Sequence, residues 1–422
     1  MNSDEAFTTR TSCRVCGSSK LVDILSLGSH HVSDFVEENP GDALKVPLEL
    51  ILCDQASGGC GLLQLRHTTN PALMYRHYWY RSVVNDTMRQ ALANICDVAE
   101  VLVPLAENDI VVDIGCNDGT LLRSYRGSGI RRVGFEPAHN LIEHAEVGTH
   151  RIINDFFNSD AFFAEFGQDT RARIVTSIAM FYDLEDPNAF VSGVKEVLAE
   201  DGIWIIQMSY LPLMLERNAF DNICHEHLEY YSLTSLKNLL DRHQFKILDV
   251  ELNEVNGGSY RVYIQHDSHK GSQTDFQSAR VKAMELFEEQ LGLNEAGIYH
   301  EFASRVHEEK EKLMDFVHQE TSAGKSVYVY GASTKGNTLL QFYGLDDKLI
   351  KGAAERNPDK WGKRTVGTGI PIVSEADARA VRPDYFLALP WHFLPEFIRR
   401  EKDFLESGGK FIVPLPYFIL SS

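Results

Sequence analysis

The stretch Val111-Val-Asp-Ile-Gly-Cys-Asn-Asp-Gly-Thr-Leu-Leu122 constrains the fold of this 422-residue chain more than any other. A β-branched apolar run stops at Gly115. Asn117, Asp118 and Gly119 follow, and then an apolar pattern of helical spacing begins. Strand, tight turn and helix start, in that order, open a βαβ unit. The glycines let a ligand approach the backbone, and the helix start presents unpaired N–H groups. Farther on, Val133-Gly-Phe-Glu-Pro137 is a second strand ending in an acid. In nucleotide folds an acid about twenty residues after the turn hydrogen-bonds ribose hydroxyls. The turn is Gly-x-x-x-Gly rather than the G-x-G-x-x-G of dinucleotide sites, and its strand carries Asp113. A carboxylate there repels a pyrophosphate and suits a cationic ligand.

This combination resembles the S-adenosylmethionine (SAM) site of a class I methyltransferase. A ligand-free α/β turn is the plainer alternative. The resemblance implies an α/β, Rossmann-like core, with Asp113, Gly115, Asn117, Gly119, Glu136, Pro137, Asn140 and Asp155 around the cofactor. From 109 to about 250, predicted strands at Ile110–Ile114, Arg132–Phe135, Ile174–Ser177, Gly202–Met208 and Lys246–Leu252 alternate with helices. Alternation of that kind makes a parallel, doubly wound sheet whose ligands sit beyond the carboxyl ends of the strands. Asp113, Glu136, Asn154, Asp155 and the Ser177–Asp183 stretch then share one edge.

A chain of this length holds roughly two to three domains. Four of its seven cysteines come early, as Cys13-x-x-Cys16 and then Cys53 and Cys60. Two thiol pairs around a hairpin suit a tetrahedral structural zinc. Gly58, Gly59 and Gly61 accommodate the wide second spacing. His30 and His31 are alternative ligands, and a redox pair or unliganded thiols are the competing readings. The net charge of −19 disfavours nucleic acid and anionic membrane as partners. No apolar run is long enough to span a bilayer. The polar start Met-Asn-Ser-Asp-Glu is unlike an export signal. Reduced thiols and a cytoplasmic protein are expected.

Between these parts lies Tyr75-Arg-His-Tyr-Trp-Tyr80 and its continuation to Met88, either a packed bridge or the wall of a polar pocket. After the fourth strand, Cys224-His-Glu-His-Leu-Glu-Tyr230 gathers His225, Glu226 and His227. Histidine beside a carboxylate suits proton transfer near neutral pH. A metal site or a polar structural cluster remains open, although the H-E-x-x-H spacing is absent. Gly257-Gly-Ser259 with Arg261 is a hairpin turn or a ligand cradle. From Ser272 to about Lys325, interleaved charge with an apolar face predicts a solvated connecting helix. A second strand–turn–helix follows, with Gly331, Ser333, Thr334, Lys335 and Asn337, then Arg356 and Lys360. Phosphate at the helix start is its expected use. Dimerisation or a structural module is the alternative.

With these segments placed, the chain resembles the NDP-sugar C-methyltransferases of deoxysugar biosynthesis. The resemblance rests on Cys13/Cys16/Cys53/Cys60, Asp113-Ile-Gly-Cys-Asn-Asp-Gly119, Phe135-Glu-Pro137 with Asn140, His225-Glu-His227-x-x-Tyr-Tyr-Ser232, Gly257-Gly-Ser259 and Tyr330-Gly-Ala-x-x-Lys-Gly-Asn337. It implies a zinc lobe at 1–70, a SAM domain at 71–270, a helical connector at 271–322 and a Rossmann-like domain at 323–422. It implies a dTDP- or GDP-linked 4-keto-6-deoxyhexose as acceptor, methylated at C-3, and a monomer or weak dimer. His227 is the implied base, with Glu226 assisting; His225 is a further catalytic candidate, and Tyr78 and Tyr80 are placed near the sugar. Cys224, Asp183, Tyr230, Gly258, Ser259, Arg261, Gly331, Lys335, Asn337, Arg356 and Lys360 are the implied substrate contacts. Two residues depart from the family: Cys224 stands where a tyrosine is usual, and Asp183 where a histidine is usual. An O- or N-methyltransferase, or a SAM-sensing binding protein, are the competing functions.

Overall fold

The computed structural model describes residues 7–38, 45–76, 78–84, 86–271 and 273–421. The start Met1–Glu5, on which the expectation about an export signal rests, lies outside them, as do His77, Asn85 and Ser272. The largest sheet has seven strands, in the order Phe245–Asn253, Ser259–His266, Leu198–Ser209, Ala172–Ile178, Ile110–Ile114, Arg131–Phe135 and Arg151–Ile153. Val112 and Ile114 face one apolar core while Val111 faces another, so both faces of the sheet are covered. The predicted helix at 188–198 forms as Pro187–Val197, its start capped by the Asp186 side chain on Ala189 N–H. Strand order reverses between Ile110–Ile114 and Ala172–Ile178, which opens a crevice at their carboxyl ends.

One strand departs from the expected parallel sheet. Ser259–His266 runs antiparallel to both its neighbours. Only a hairpin can return the chain within the short turn at 254–258, since a parallel return needs a long crossover. Gly257 (φ 86°) and Gly258 (φ 126°) make that turn.

The N-terminal sheet is antiparallel, in the order Glu229–Tyr230, Leu63–Leu65, Lys45–Cys53, Leu21–His31. Its edge strand thus comes from just after His227, far along the chain. The C-terminal sheet runs Ile372–Ser374, Ile350–Glu355, Val327–Tyr330, Tyr385–Ala388, Lys410–Pro414, Tyr417–Leu420. It is parallel except for the closing hairpin.

The connecting segment forms two helices, Asp275–Gln290 and Ala296–Ser322. The second is less solvated than its charge predicts. It buries Tyr299, Phe302, Val306, Leu313 and Val317 in one cluster with Leu48 and Leu50 of the N-terminal sheet and Val327 and Val329 of the C-terminal sheet. Each such side chain stabilises by about 1.5–3 kcal/mol, so this helix is a spine rather than a loose tether. Arg364–Thr365 also pairs with Phe35–Val36 as a separate two-stranded sheet, joining the N-terminal and C-terminal parts of the chain. No helix among the described residues is long and apolar enough to cross a membrane.

Candidate active site

A cavity of about 880 Å³ runs from the turn after Ile110–Ile114 to the turn after Val327–Tyr330. At one end it is walled by Asp113, Gly115, Asn117, Glu136, Pro137 and Asp155. Gly115 (φ 71°) donates its N–H to the Phe135 carbonyl. Glu136 accepts the N–H groups of Asn117 (2.7 Å) and Ala138 (2.9 Å), which leaves further lone pairs for ribose hydroxyls. Asp113 accepts Thr176 Oγ1–H at 2.6 Å. Burial lifts Asp113 to about 7, against the Thr176 hydrogen bond and with some help from Glu136. Burial also lifts Glu136 to about 7, against the Ala138 and Asn117 N–H groups. A sulfonium or ammonium would favour both ionised forms, so the donor set fits SAM. Gly119 (φ 78°) does not wall the cavity; a Cβ there would strike the Ala145 carbonyl oxygen at 2.9 Å. Asp155 accepts from Arg76 at 3.2 Å in an exposed pair.

The aromatic stretch is both bridge and wall. The strap from 78 to 84 crosses the cofactor turn. Asn140 holds the main chain of Tyr78 at both its N–H (3.0 Å) and its carbonyl (2.9 Å). Asn117 accepts from Ser82 N–H (3.0 Å) and donates to the Tyr80 carbonyl (3.1 Å). The Asp118 carboxylate accepts from Val83 N–H. The amides of Asn117 and Asn140 therefore fasten the strap, and Tyr75, Tyr78, Tyr80 and Arg81 line the cavity. Arg81, which sequence reasoning missed, keeps its Nε buried and without a partner among the described residues.

At mid-cavity stand Tyr182, Asp183, Cys224, Glu226 and His227. His227 Nδ1 lies 2.8 Å from the Asn222 carbonyl. A carbonyl can only accept, so Nδ1 carries the proton and Nε2 holds the lone pair. Burial, and then the charge of Lys335, hold this imidazole well below its usual range, so it is neutral at pH 7. Tyr182 packs its ring 4.3 Å from it. Glu226 Oε2 and Asp183 Oδ1 are buried without partners among the described residues. Burial lifts both carboxyls, and the Glu226 charge pushes Asp183 higher still. The Tyr75 hydroxyl donates to the Glu226 carbonyl at 3.0 Å.

Several expected residues stand elsewhere. His225 is turned into the N-terminal sheet, its Nε2 3.0 Å from the Val46 carbonyl, and does not line the cavity. Tyr230 does not line the cavity and donates to the His227 carbonyl at 3.0 Å. Gly258 and Ser259 belong to the hairpin, and Arg261 is bound to Gln207 and Asn94. None of these three lines the cavity, because the strand Ser259–His266 runs behind its wall.

The far end repeats the cofactor turn in a second sheet. Gly331 (φ 86°) donates to the Ala354 carbonyl, as Gly115 does to Phe135. Glu355 accepts Ala332 N–H (3.0 Å) and Asn357 N–H (2.9 Å), matching Glu136. Glu355 escaped the sequence reading, although an acid closing a second strand was its available signal. Ser333, Thr334, Lys335 and Arg356 share this wall. The buried Lys360 is already engaged, donating to the Ala332 carbonyl at 2.8 Å and pairing with Glu355 at 3.5 Å. Asn337 instead donates to the Asp34 carbonyl, in the loop that follows the strand Leu21–His31.

Cys13, Cys16, Cys53 and Cys60 bring their sulfurs within 4.8 Å of one another, with closest pairs at 3.5 and 3.4 Å. Four thiolates at about 2.3 Å from one ion need roughly this spacing, so the set fits zinc. A Cβ at Gly59 would meet Cys53 Sγ at 2.6 Å, which explains the glycine. His30 and His31 do not belong to the cluster.

Three family models match the chain. They are a zinc binding domain over residues 13–75, a methyltransferase domain over 87–250 and a C-methyltransferase C-terminal domain over 254–416. The C-methyltransferase NovU of Streptomyces niveus is 35% identical over 413 residues, covering 96% of this chain and 95% of that protein. The ubiquinone biosynthesis O-methyltransferase of Pasteurella multocida (strain Pm70) is 30% identical over 104 residues, covering 22% of this chain and 43% of that protein. A solved S-adenosylmethionine-dependent methyltransferase from Clostridium acetobutylicum ATCC 824 matches with a TM-score of 0.34 at 12% identity, covering 44% of this chain and 94% of that one.

Proposed function

The chain belongs to the family of SAM-dependent C-methyltransferases, and from that premise we propose that it methylates C-3 of an NDP-4-keto-6-deoxyhexose. One observation carries the reading: a single cavity joins the Asp113–Glu136 turn, the His227 loop and the Gly331–Lys335 turn. Its volume is about 880 Å³, within the range of natural ligand pockets. SAM, when bound, supplies an electrophilic methyl group.

The rest falls to the protein's own side chains. A ketone acidifies the neighbouring C–H, and His227 takes that proton at Nε2. The electron pair left on C-3 delocalises onto the ketone oxygen. Neutral Asp183 and the hydroxyls of Tyr78 and Tyr80 are the donors to that oxygen. Glu226 offsets the imidazolium charge. A positioned base contributes on the order of 10²–10⁴ in rate, and alignment of the reacting carbon adds several kcal/mol more. Lys335 and Arg356 take the diphosphate, and Glu355 takes nucleoside hydroxyls as Glu136 takes those of the cofactor. The nucleotide is dTDP or GDP, and the enzyme is cytoplasmic and a monomer or weak dimer. On this reading the units are 1–70, 71–270, 271–322 and 323–422.

The test is incubation with SAM and either dTDP-4-keto-6-deoxyglucose or GDP-4-keto-6-deoxymannose. A product heavier by one methylene, with the new methyl on C-3 by NMR, is expected. Methylation of oxygen or nitrogen, or of neither acceptor, overturns the reading.

A further inference from the structure

His227 sits on a loop gripped from the C-terminal domain. Its Nδ1–H is held by the main-chain carbonyl of Asn222 at 2.8 Å. The side chain of the same Asn222 accepts Lys335 Nζ–H at 2.7 Å, and its amide donates to the Ala219 carbonyl at 3.0 Å. The neighbouring Asp221 accepts Trp391 Nε1–H at 3.1 Å. The Phe220 ring packs edge-on to Phe342 at 5.5 Å and Tyr343 at 5.9 Å. Every residue of the turn Phe220–Asn222 is thus fixed by the helix Thr334–Tyr343 or by the Trp391–Phe393 turn. Asn222 is itself buried, and it lies outside the large cavity that Lys335 and His227 both line.

We propose that Asn222 is a positioning residue, which transmits the placement of Lys335 to the imidazole of His227, so that the domain holding the nucleotide also sets the base. The proposal rests on the reading of His227 as base and Lys335 as a phosphate contact. Its physical content is a chain of directed hydrogen bonds between two domains. A lysine ammonium has three donors. One is spent on Asn222, and two remain for a phosphate on the cavity side. A diphosphate at Lys335 also offsets the positive charge that, after burial, holds the His227 imidazole down. The base then gains strength when the nucleotide end is filled.

Asn222→Ala removes the amide and leaves the main-chain carbonyl in place. The first measurement needs no substrate: solvent exchange of the His227 Nδ1 proton, read by ¹⁵N NMR of the histidine rings and assigned with His227→Gln. Asn222→Ala and Lys335→Met should each speed that exchange about tenfold, and the double variant should be no faster than either, because residues acting through one chain are not additive. Unchanged exchange in either single variant, or additive effects, overturns the proposal. The second measurement is steady-state turnover of the sugar nucleotide. Asn222→Ala should lower kcat about ten- to a hundredfold with KM nearly unchanged, since misplacing a reacting group costs that much, and Lys335→Arg should recover part of the Lys335→Met loss. A change in KM alone overturns it. Faster, non-additive exchange in the variants of a protein that methylates neither acceptor sinks the sugar reading and leaves the coupling standing.

Discussion

Asp183 holds a carboxyl against the cavity wall beside Glu226, and burial with that neighbour keeps it protonated well above the usual carboxylate range. A neutral acid donates a hydrogen bond, which a buried thiol such as Cys224 does only weakly. On the proposed mechanism the active form exists below the folded midpoint and is lost as pH rises through it. Asp183→Ala should lower kcat by about 10²–10³. Asp183→Asn should keep most of the rate and lose the decline at high pH. Equal damage from both variants in a pH–rate profile would exclude the donor role. Asp113 and Glu136 titrate with the same sign, since burial lifts both to about 7. A cationic ligand selects their ionised forms, so SAM binding should release protons near pH 6–7 and weaken below it. Calorimetry in buffers of different ionisation enthalpy reads the release directly, and its absence would place the sulfonium elsewhere.

The strap from 78 to 84 is the element that lies over the Gly115–Gly119 turn, and it hangs on few bonds. Each is worth about 0.5–1.5 kcal/mol. Asn140→Ala removes two of them and should weaken SAM about tenfold by calorimetry. An unchanged affinity would mean that the strap does not order the site. Here lies the boundary of what the sequence reveals. The Gly115–Gly119 turn, Glu136 and the cysteine pairs are legible because their geometry is local. The partners of Asn117 and Asn140 are not, because the strap's path is set by tertiary contact. Gly257-Gly258 was legible as a turn, but only the pairing of Ser259–His266 places Arg261 behind the wall. Asn222 carries no local signal at all: its side chain finds Lys335 across more than a hundred residues of chain.

In the molecule as a whole the zinc lobe and the His227 loop are one piece, since Glu229–Tyr230 pairs with Leu63–Leu65. Cys13, Cys53 and Cys60 also pack in the core shared with Phe181 and Tyr231. Stripping zinc, or Cys53→Ser, should therefore lower Tm by on the order of 10 °C and abolish turnover together. Activity that survives a verified loss of zinc would separate the two. The seam between lobe and loop also buries His30 and His225. Burial holds both near 4, with the other seam histidine's charge lowering His30 and the Val46 carbonyl opposing the fall at His225. Both are neutral when folded, so stability should be lost as pH falls from about 6.5 towards 4, by on the order of 3 kcal/mol each.

Deuterium uptake reads proton removal by His227 apart from methyl transfer. The enzyme is held in D₂O with S-adenosylhomocysteine and the 4-keto sugar nucleotide, so that proton removal proceeds without alkylation. Deuterium at C-3 in the native protein, lost by about a hundredfold or more in His227→Ala, is the predicted result. Exchange and methylation at native rates in His227→Ala would contradict it.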